Sequence, residues 1–194
     1  MLIVGLTGSI GMGKSATSDL FRLQGIPVHD SDSTVHDLYA GEAAPLIEAA
    51  FPGTTREGIV DRSLLSPKVI GNPEALRRLE AIVHPLVRRK EQDFLKLHSG
   101  RNARLVLVDI PLLFETRDPT SFRAIVVVTA PAHVQAERVL ARPGMTREKM
   151  DTILAKQMPD VEKRRRAHFV VDTSRGFDVA SSQVAAILRC LAAP

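Results

Sequence analysis

Near the start of the chain stands Gly8-Ser9-Ile10-Gly11-Met12-Gly13-Lys14-Ser15, the feature that most restricts the fold. It matches G-x-x-x-x-G-K-[ST] at every fixed position. A short apolar run, Leu2 to Thr7, precedes it and reads as a buried strand; a helically spaced segment, Ser15 to Leu23, follows and ends at Gly25. The spacing has a physical basis. Glycines let the backbone fold tightly with its N–H groups turned toward phosphate oxygens, and the following helix adds its positive end. Lys14 then reaches the β- and γ-phosphates, and the Ser15 hydroxyl ligates Mg²⁺. The expected nucleotide contacts are therefore Gly8, Gly11, Met12, Gly13, Lys14, Ser15 and the adjacent Ala16, with ATP and Mg²⁺ as cofactors. Such a loop sets nucleotide binding but not the reaction. GTPases normally add an N-K-x-D segment, and the chain has none.

Further apolar runs at Ile26 to His29, Leu105 to Asp109, Ala124 to Thr129 and Phe169 to Asp172 read as four more strands. Helical patterns separate them: one begins at Val35, one runs from Pro131 to about Ala141, one from Thr146 to near Pro159, and the last from Val179 to Leu191. Continuous apolar strands alternating with helices predict a five-stranded parallel sheet covered on both faces, the three-layer α/β fold of P-loop kinases. Ligands then bind at the carboxyl ends of the strands. Residues 40–100 differ, with helical patterns broken by Pro45, Pro52, Pro67, Pro73 and Pro85 and no convincing strand. Asn72-Pro73-Glu74 is a strong helix start, and Pro85 is expected to kink or restart that helix. The predicted organisation is a nucleotide-binding core (1–39 and 104–194), a lid at about 138–166, and a helical acceptor domain inserted at 40–103.

Composition narrows the partners. The net charge of +4 suits an anionic one, either nucleic acid or a phosphorylated small molecule. The basic run Lys163-Arg164-Arg165-Arg166 has no interleaved aromatics, so it is assigned mainly to solvent, with one or two of its residues near nucleotide phosphates, and no nucleic-acid partner is expected. The single cysteine, Cys190, excludes an intrachain disulfide and is read as a buried thiol. No histidines pair at metal-ligand spacing, so no zinc site is expected. With no signal-peptide features and no apolar run near 18 residues, the expectation is a cytoplasmic protein without a membrane partner.

Asp30-Ser31-Asp32 follows the second strand, beside the phosphate loop in such a fold. A kinase acting on an alcohol needs a carboxylate to orient the hydroxyl and accept its proton, and Asp32 is the candidate; the other reading of either aspartate is a helix cap. Asp109, ending the third strand, is either a Mg²⁺ support or a turn cap. Ile110 to Glu115 reads as an acceptor-pocket wall or as a packed loop. Gln135, Arg138 and Arg142 share one helix face, and Arg142 to Thr146 can hinge, so these arginines either close over the nucleotide or form a solvated basic face.

These motifs, in this order, resemble the dephospho-CoA kinase family over nearly the whole chain. The resemblance rests on Leu6 to Ser15, Asp30-Ser31-Asp32, His84-Pro85, Pro111-Leu112-Leu113-Phe114-Glu115, the Gln135, Arg138 and Arg142 helix, and Gln157 leading into Lys163. It implies phosphorylation of the ribose 3′-hydroxyl of dephospho-CoA by ATP, the last step of coenzyme A synthesis, by a monomer or small homo-oligomer. It implies Asp32, Lys14 and Arg138 as catalytic residues and places Thr7 in the active site. It sets His84, Leu112, Leu113 and Glu115 on the acceptor side, with the helical insertion as the CoA-binding domain. Three departures from the family's pattern stand out: Ala16 stands where Thr is usual, Ser9 where Gly is frequent, and, around the last strand, Ala167-His168 and Thr173 where Ala-Asp and Asn are usual. The other readings are a nucleoside or nucleotide kinase, which would grip an acceptor phosphate with arginines, and a nucleic-acid-binding ATPase, whose binding would fall steeply with salt.

Overall fold

In the computed structural model, which describes residues 1–192, β1 (Leu2–Gly8) occupies the middle of a five-stranded sheet. The strand order is β2 (Val28–Asp30), β5 (Leu105–Asp109), β1, β6 (Ala124–Thr129), β7 (Phe169–Asp172). β1 is parallel to β5, with Leu6 opposite Asp109, and parallel to β6, with Gly8 opposite Val128; β6 is parallel to β7. β5 and β6 are buried at every position, which explains why they read as unbroken apolar runs. The α/β class and the five parallel strands agree with the sequence reading. Residues 193–194, the end of the predicted core segment, lie outside the described residues.

Contacts divide the chain into two units. The first comprises residues 1–29 and the segment from Asn102 onward. It holds α1 (Lys14–Leu23), α6 (Leu113–Thr116), α7 (Ala132–Leu140), α8 (Arg147–Leu154), α9 (Asp160–Arg166) and α10 (Phe177–Ala192). Val4, Leu6, Leu20, Phe21, Val126, Val128 and Val184 form its main core, where α1 and α10 pack beside the sheet. Gly5 admits Leu113 on the sheet: a Cβ there would lie 2.6 Å from Leu113 Cδ1. In α10 the buried positions are Ala180, Val184 and Ile187, whereas Cys190 is exposed, contrary to the buried thiol expected. Its position in the helix turns it away from that apolar stripe.

The second unit spans Asp30–Arg101. It contains α2 (Ser31–Tyr39), α3 (Ala44–Ala50), β3 (Thr55–Arg56), β4 (Ile59–Val60), α4 (Arg62–Val69) and α5 (Pro73–Gly100). Leu38, Ile47, Phe51, Leu65, Leu79, Val83 and Leu86 are its core, with α2, α3 and α4 all packed on α5. Asn72 caps α5 by accepting from the Ala75 N–H, with Pro73 in the first turn.

Two expectations for this unit need correction. Pro85 does not restart the helix, since α5 runs 28 residues through it. Pro85 and Ala81, whose carbonyl loses its donor, are both exposed, so water can serve that carbonyl. There is also a strand pair: β3 and β4 form a two-residue antiparallel hairpin, with Glu57 and Gly58 both at positive φ (51° and 78°). That is the hairpin-turn geometry, but strands this short leave no pattern to read. Glu48 fastens the preceding loop. Its carboxylate accepts from the N–H groups of Gly53 (2.6 Å), Thr54 (3.0 Å) and Thr55 (2.9 Å) and from the Thr55 hydroxyl (2.8 Å). The Gly53 N–H and the Thr55 hydroxyl hold its carboxyl below the ordinary glutamate value.

Candidate active site

The loop between β1 and α1 is shaped by glycine. Gly11 and Gly13 have φ of 77° and 89°, in the left-handed region that side chains disfavour. Space opposes a side chain at both as well, most strongly at Gly11. A Cβ on Gly11 would lie 2.5 Å from Val139 Cγ2, and one on Gly13 would lie 3.0 Å from the Thr173 hydroxyl. Gly13 caps α1 without a side-chain hydrogen bond, and the first turn of α1 carries no acidic residue. Its first N–H groups and positive dipole end are thus open to an anion. Ser15 and Ala16 are exposed at this end, whereas Met12 is a core residue whose Sδ accepts from the Ala130 N–H (3.1 Å).

Lys14 Nζ lies 2.7 Å from Asp109 Oδ1, and Asp109 is completely buried. The register that sets Leu6 opposite Asp109 brings this carboxylate to the carboxyl end of β5, next to the loop. The Thr7 hydroxyl donates to the Pro111 carbonyl (3.0 Å), tying the end of β1 to the turn after β5. Ser15 and Asp109 offer hard oxygen donors of the kind Mg²⁺ takes. No three His, Cys, Asp or Glu side chains gather to hold a metal among the described residues.

Arg138 reaches from α7 to Thr173. One guanidinium nitrogen donates to the hydroxyl and another to the carbonyl, both at 2.8 Å. The Thr173 hydroxyl in turn donates to the Met12 carbonyl (2.8 Å), so Arg138 is linked to the phosphate loop. Gly11, Gly13, Ala16, Arg138, Arg142 and Phe177 border one cavity of about 360 Å³. Arg142 lies just beyond α7, at the start of the connection to α8, where Gly144 has φ of 70°. The Phe177 ring borders this cavity while 56% exposed; nothing in the sequence pattern marked it.

In the second unit, Asp30 is the N-cap of α2, accepting from the N–H groups of Asp32 (2.9 Å) and Ser33 (3.0 Å). Its neighbour Asp32 is exposed and faces a cleft of about 520 Å³ shared with Tyr39, Arg62, Ser66 and Leu79. The Arg62 guanidinium sits 5.3 Å from the centre of the Tyr39 ring. Burial raises the Tyr39 hydroxyl above its ordinary pKa, partly opposed by the Arg62 charge. His84 is exposed on α5 and is not among the residues bordering this cleft.

The segment after β5 holds residues of three kinds. Leu112 is half-buried at the start of α6, whereas Leu113 has no exposed surface and belongs to the packing against Gly5. Glu115 accepts from the Met158 N–H (2.7 Å) and pairs with Lys163 Nζ (3.1 Å). Lys163 is fully buried, contrary to the solvated basic run expected from the sequence. Its α9 neighbours follow the expectation, with Arg164 and Arg165 paired to Asp160 and Glu162 near the surface. The helix expected from Thr146 to near Pro159 is α8, which ends earlier, at Leu154; α9 begins beyond it, at Asp160.

Comparison with known proteins gives a consistent result. A family model described as dephospho-CoA kinase matches residues 2–178. The dephospho-CoA kinase of Rhodopseudomonas palustris strain HaA2 is 58% identical over 188 residues, covering 97% of this chain and 94% of the relative. That of Mesorhizobium japonicum is 56% identical over 188 residues, covering 97% and 95%. The crystal structure of TT1252 from Thermus thermophilus superposes with a TM-score of 0.86 at 34% identity, over 100% of this chain and 98% of that one. With a phosphate loop backed by a buried aspartate and an arginine tied to it through Thr173, the chain belongs to the dephospho-CoA kinase family.

Proposed function

We propose that this enzyme transfers the γ-phosphoryl group of ATP to the ribose 3′-hydroxyl of dephospho-CoA, giving coenzyme A and ADP. The observation that carries the reading is the phosphate loop with Lys14 poised on buried Asp109, within a chain of this family. The loop N–H groups and the start of α1 hold the phosphates, with Thr7, Gly8, Gly11, Met12, Gly13, Ser15 and Ala16 forming the nucleotide side. Lys14 leaves Asp109 for the β- and γ-phosphates, and Arg138 and Arg142 offset the charge that develops on the transferring group. Ser15 and Asp109 are the residues that would hold Mg²⁺, which when bound neutralises charge on the β- and γ-phosphate oxygens.

Asp32 orients the acceptor hydroxyl and takes its proton, in a cleft that also offers Tyr39 and Arg62 to the acceptor. Two features temper the other acceptor residues drawn from the resemblance. Leu113 acts through packing, and Glu115 through its contacts with Met158 and Lys163. Leu112 and His84 keep exposed surface for a ligand. Within residues 138–166 the lid is the stretch around α8, because Gln157, Met158 and Lys163 are tied to the phosphate loop and to Glu115, and the inserted helices are the CoA-binding domain. The working location is the cytoplasm, as a monomer or small homo-oligomer; no described helix is long and apolar enough to cross a membrane.

The test is ADP release in the presence of ATP, Mg²⁺ and dephospho-CoA, beside AMP, adenosine and no acceptor. ADP formation that depends on dephospho-CoA, and that Asp32→Asn nearly abolishes, supports the reading. Equal ADP release without acceptor rejects it.

A further inference from the structure

Gln157 is not a member of the nucleotide or acceptor sets above, yet its side chain reaches the phosphate loop. Its Oε1 accepts from the Ile10 N–H (3.2 Å). On the other side of the same residue, Gln135 Nε2 donates to the Ile10 carbonyl (2.7 Å). Ile10 is therefore held through two consecutive peptide groups by two glutamines from different segments, one preceding α9 and one in α7. Gln135 is buried, and its own carbonyl closely approaches Gly11, so this flank of the loop leans directly on α7.

Gln157 is itself anchored. Its N–H donates to the Leu154 carbonyl (3.0 Å), and the next residue, Met158, donates to Glu115 Oε1 (2.7 Å). The same carboxylate oxygen pairs with fully buried Lys163 (3.1 Å), whose backbone N–H donates to the Pro159 carbonyl (3.0 Å). A chain of contacts thus runs from Lys163 through Glu115 and Met158 to Gln157 and Ile10. It joins the connection between α8 and α9 to α6 and to the phosphate loop. A phosphate loop works only when its N–H groups are aimed before the ligand arrives, since aiming them on binding costs conformational entropy.

We infer that Gln157 is a positioning residue for nucleotide binding, fixing the Ile10 peptide so that the remaining loop N–H groups face the phosphates. It touches no reacting atom in this role. The inference builds on the proposed reaction only for its turnover readout, because nucleotide binding can be measured without an acceptor.

The experiment compares wild type with Gln157→Leu, Gln135→Leu and the double variant. Calorimetry gives the Kd for MgATP and the active fraction without acceptor; ADP release gives kcat and both KM values. Loss of one loop-fixing hydrogen bond is expected to raise Kd and KM for ATP about tenfold in Gln157→Leu, with KM for dephospho-CoA within about twofold. The two single variants act on one residue, so the double variant should fall short of the product of their effects. An unchanged Kd in folded Gln157→Leu overturns the inference. So does an effect wholly explained by a smaller active fraction, or strict multiplicativity of the two variants. If Gln157→Leu does not fold, Gln157→Asn keeps the amide but withdraws it by one methylene, and the same readouts apply. Absence of dephospho-CoA phosphorylation in wild type would sink the proposed reaction, while the MgATP binding comparison would still decide the role of Gln157.

Discussion

Removing the Glu115 carboxylate should destabilise the protein far more than removing its partner. Lys163 has no exposed surface and pairs with Glu115 at 3.1 Å, while the Glu115 side chain keeps 18% exposure and also receives the Met158 N–H. In Glu115→Leu the ammonium stays buried without its carboxylate and the Met158 N–H loses its acceptor. Stranding a buried charge costs about 3–5 kcal/mol. The lower end, about 3 kcal/mol, applies because the glutamate edge of the site is open enough for water to enter. For a chain of 194 residues, each kcal/mol shifts the melting temperature by about 2–4 °C, so Glu115→Leu should melt about 6–12 °C lower. Lys163→Met leaves a carboxylate that water and the Met158 N–H still serve, and should lose only about 1 kcal/mol, or about 2–4 °C. The double variant should recover much of the loss of Glu115→Leu, since no unpaired charge remains. Differential scanning calorimetry of the four proteins at neutral pH reads all of this. A Glu115→Leu melt within about 2 °C of wild type would refute the reasoning, as would a double variant no more stable than Glu115→Leu.

Gly11→Ala should abolish measurable ATP binding, because a left-handed φ of 77° and a 2.5 Å approach to Val139 both oppose the methyl group; equilibrium binding with MgATP checks it. Asp32→Asn should lower kcat by about 10²–10⁴-fold with little change in melting temperature, since this carboxylate is exposed; steady-state kinetics beside a thermal melt separate the two effects. Glu48 has a depressed carboxyl pKa, so its stabilisation is present above the unfolded value and fades as pH falls through the folded one. The stability gap between wild type and Glu48→Gln should therefore narrow as pH falls below the ordinary glutamate value of about 4.3, and a gap unchanged by pH would contradict the loop-fastening role.

The sheet and the phosphate loop were readable because each writes a local signature. A strand covered on both faces is apolar at every position, as β5 and β6 are, and phosphate binding needs contiguous residues at fixed spacing. Asp30 and Asp32 were readable only as a pair, since capping and catalysis ask for the same side chain; the fold separates them by giving Asp30 the cap and leaving Asp32 open in a cleft. Lys163 was misread because the carboxylate that permits its burial lies 48 residues earlier in the chain, and a run of four basic residues otherwise describes a wet helix end. Thr173 stood out only as a departure from the family's pattern. Its link between Arg138 and the Met12 carbonyl depends on β7 arriving beside the loop, which no local pattern announces. A helix restart at Pro85 and the overlooked β3–β4 hairpin failed for opposite reasons: a helix that continues past a water-facing carbonyl, and strands too short for periodicity.

The resting contact between Lys14 and Asp109 makes the nucleotide site a comparator of charge. An incoming ligand meets a lysine already satisfied at 2.7 Å by a fully buried carboxylate, so it must carry enough negative charge to draw that lysine away. A triphosphate does this with several oxygens at once. Binding at the phosphate loop therefore includes a competition, before any base is read, between one aspartate and the ligand for a single ammonium group.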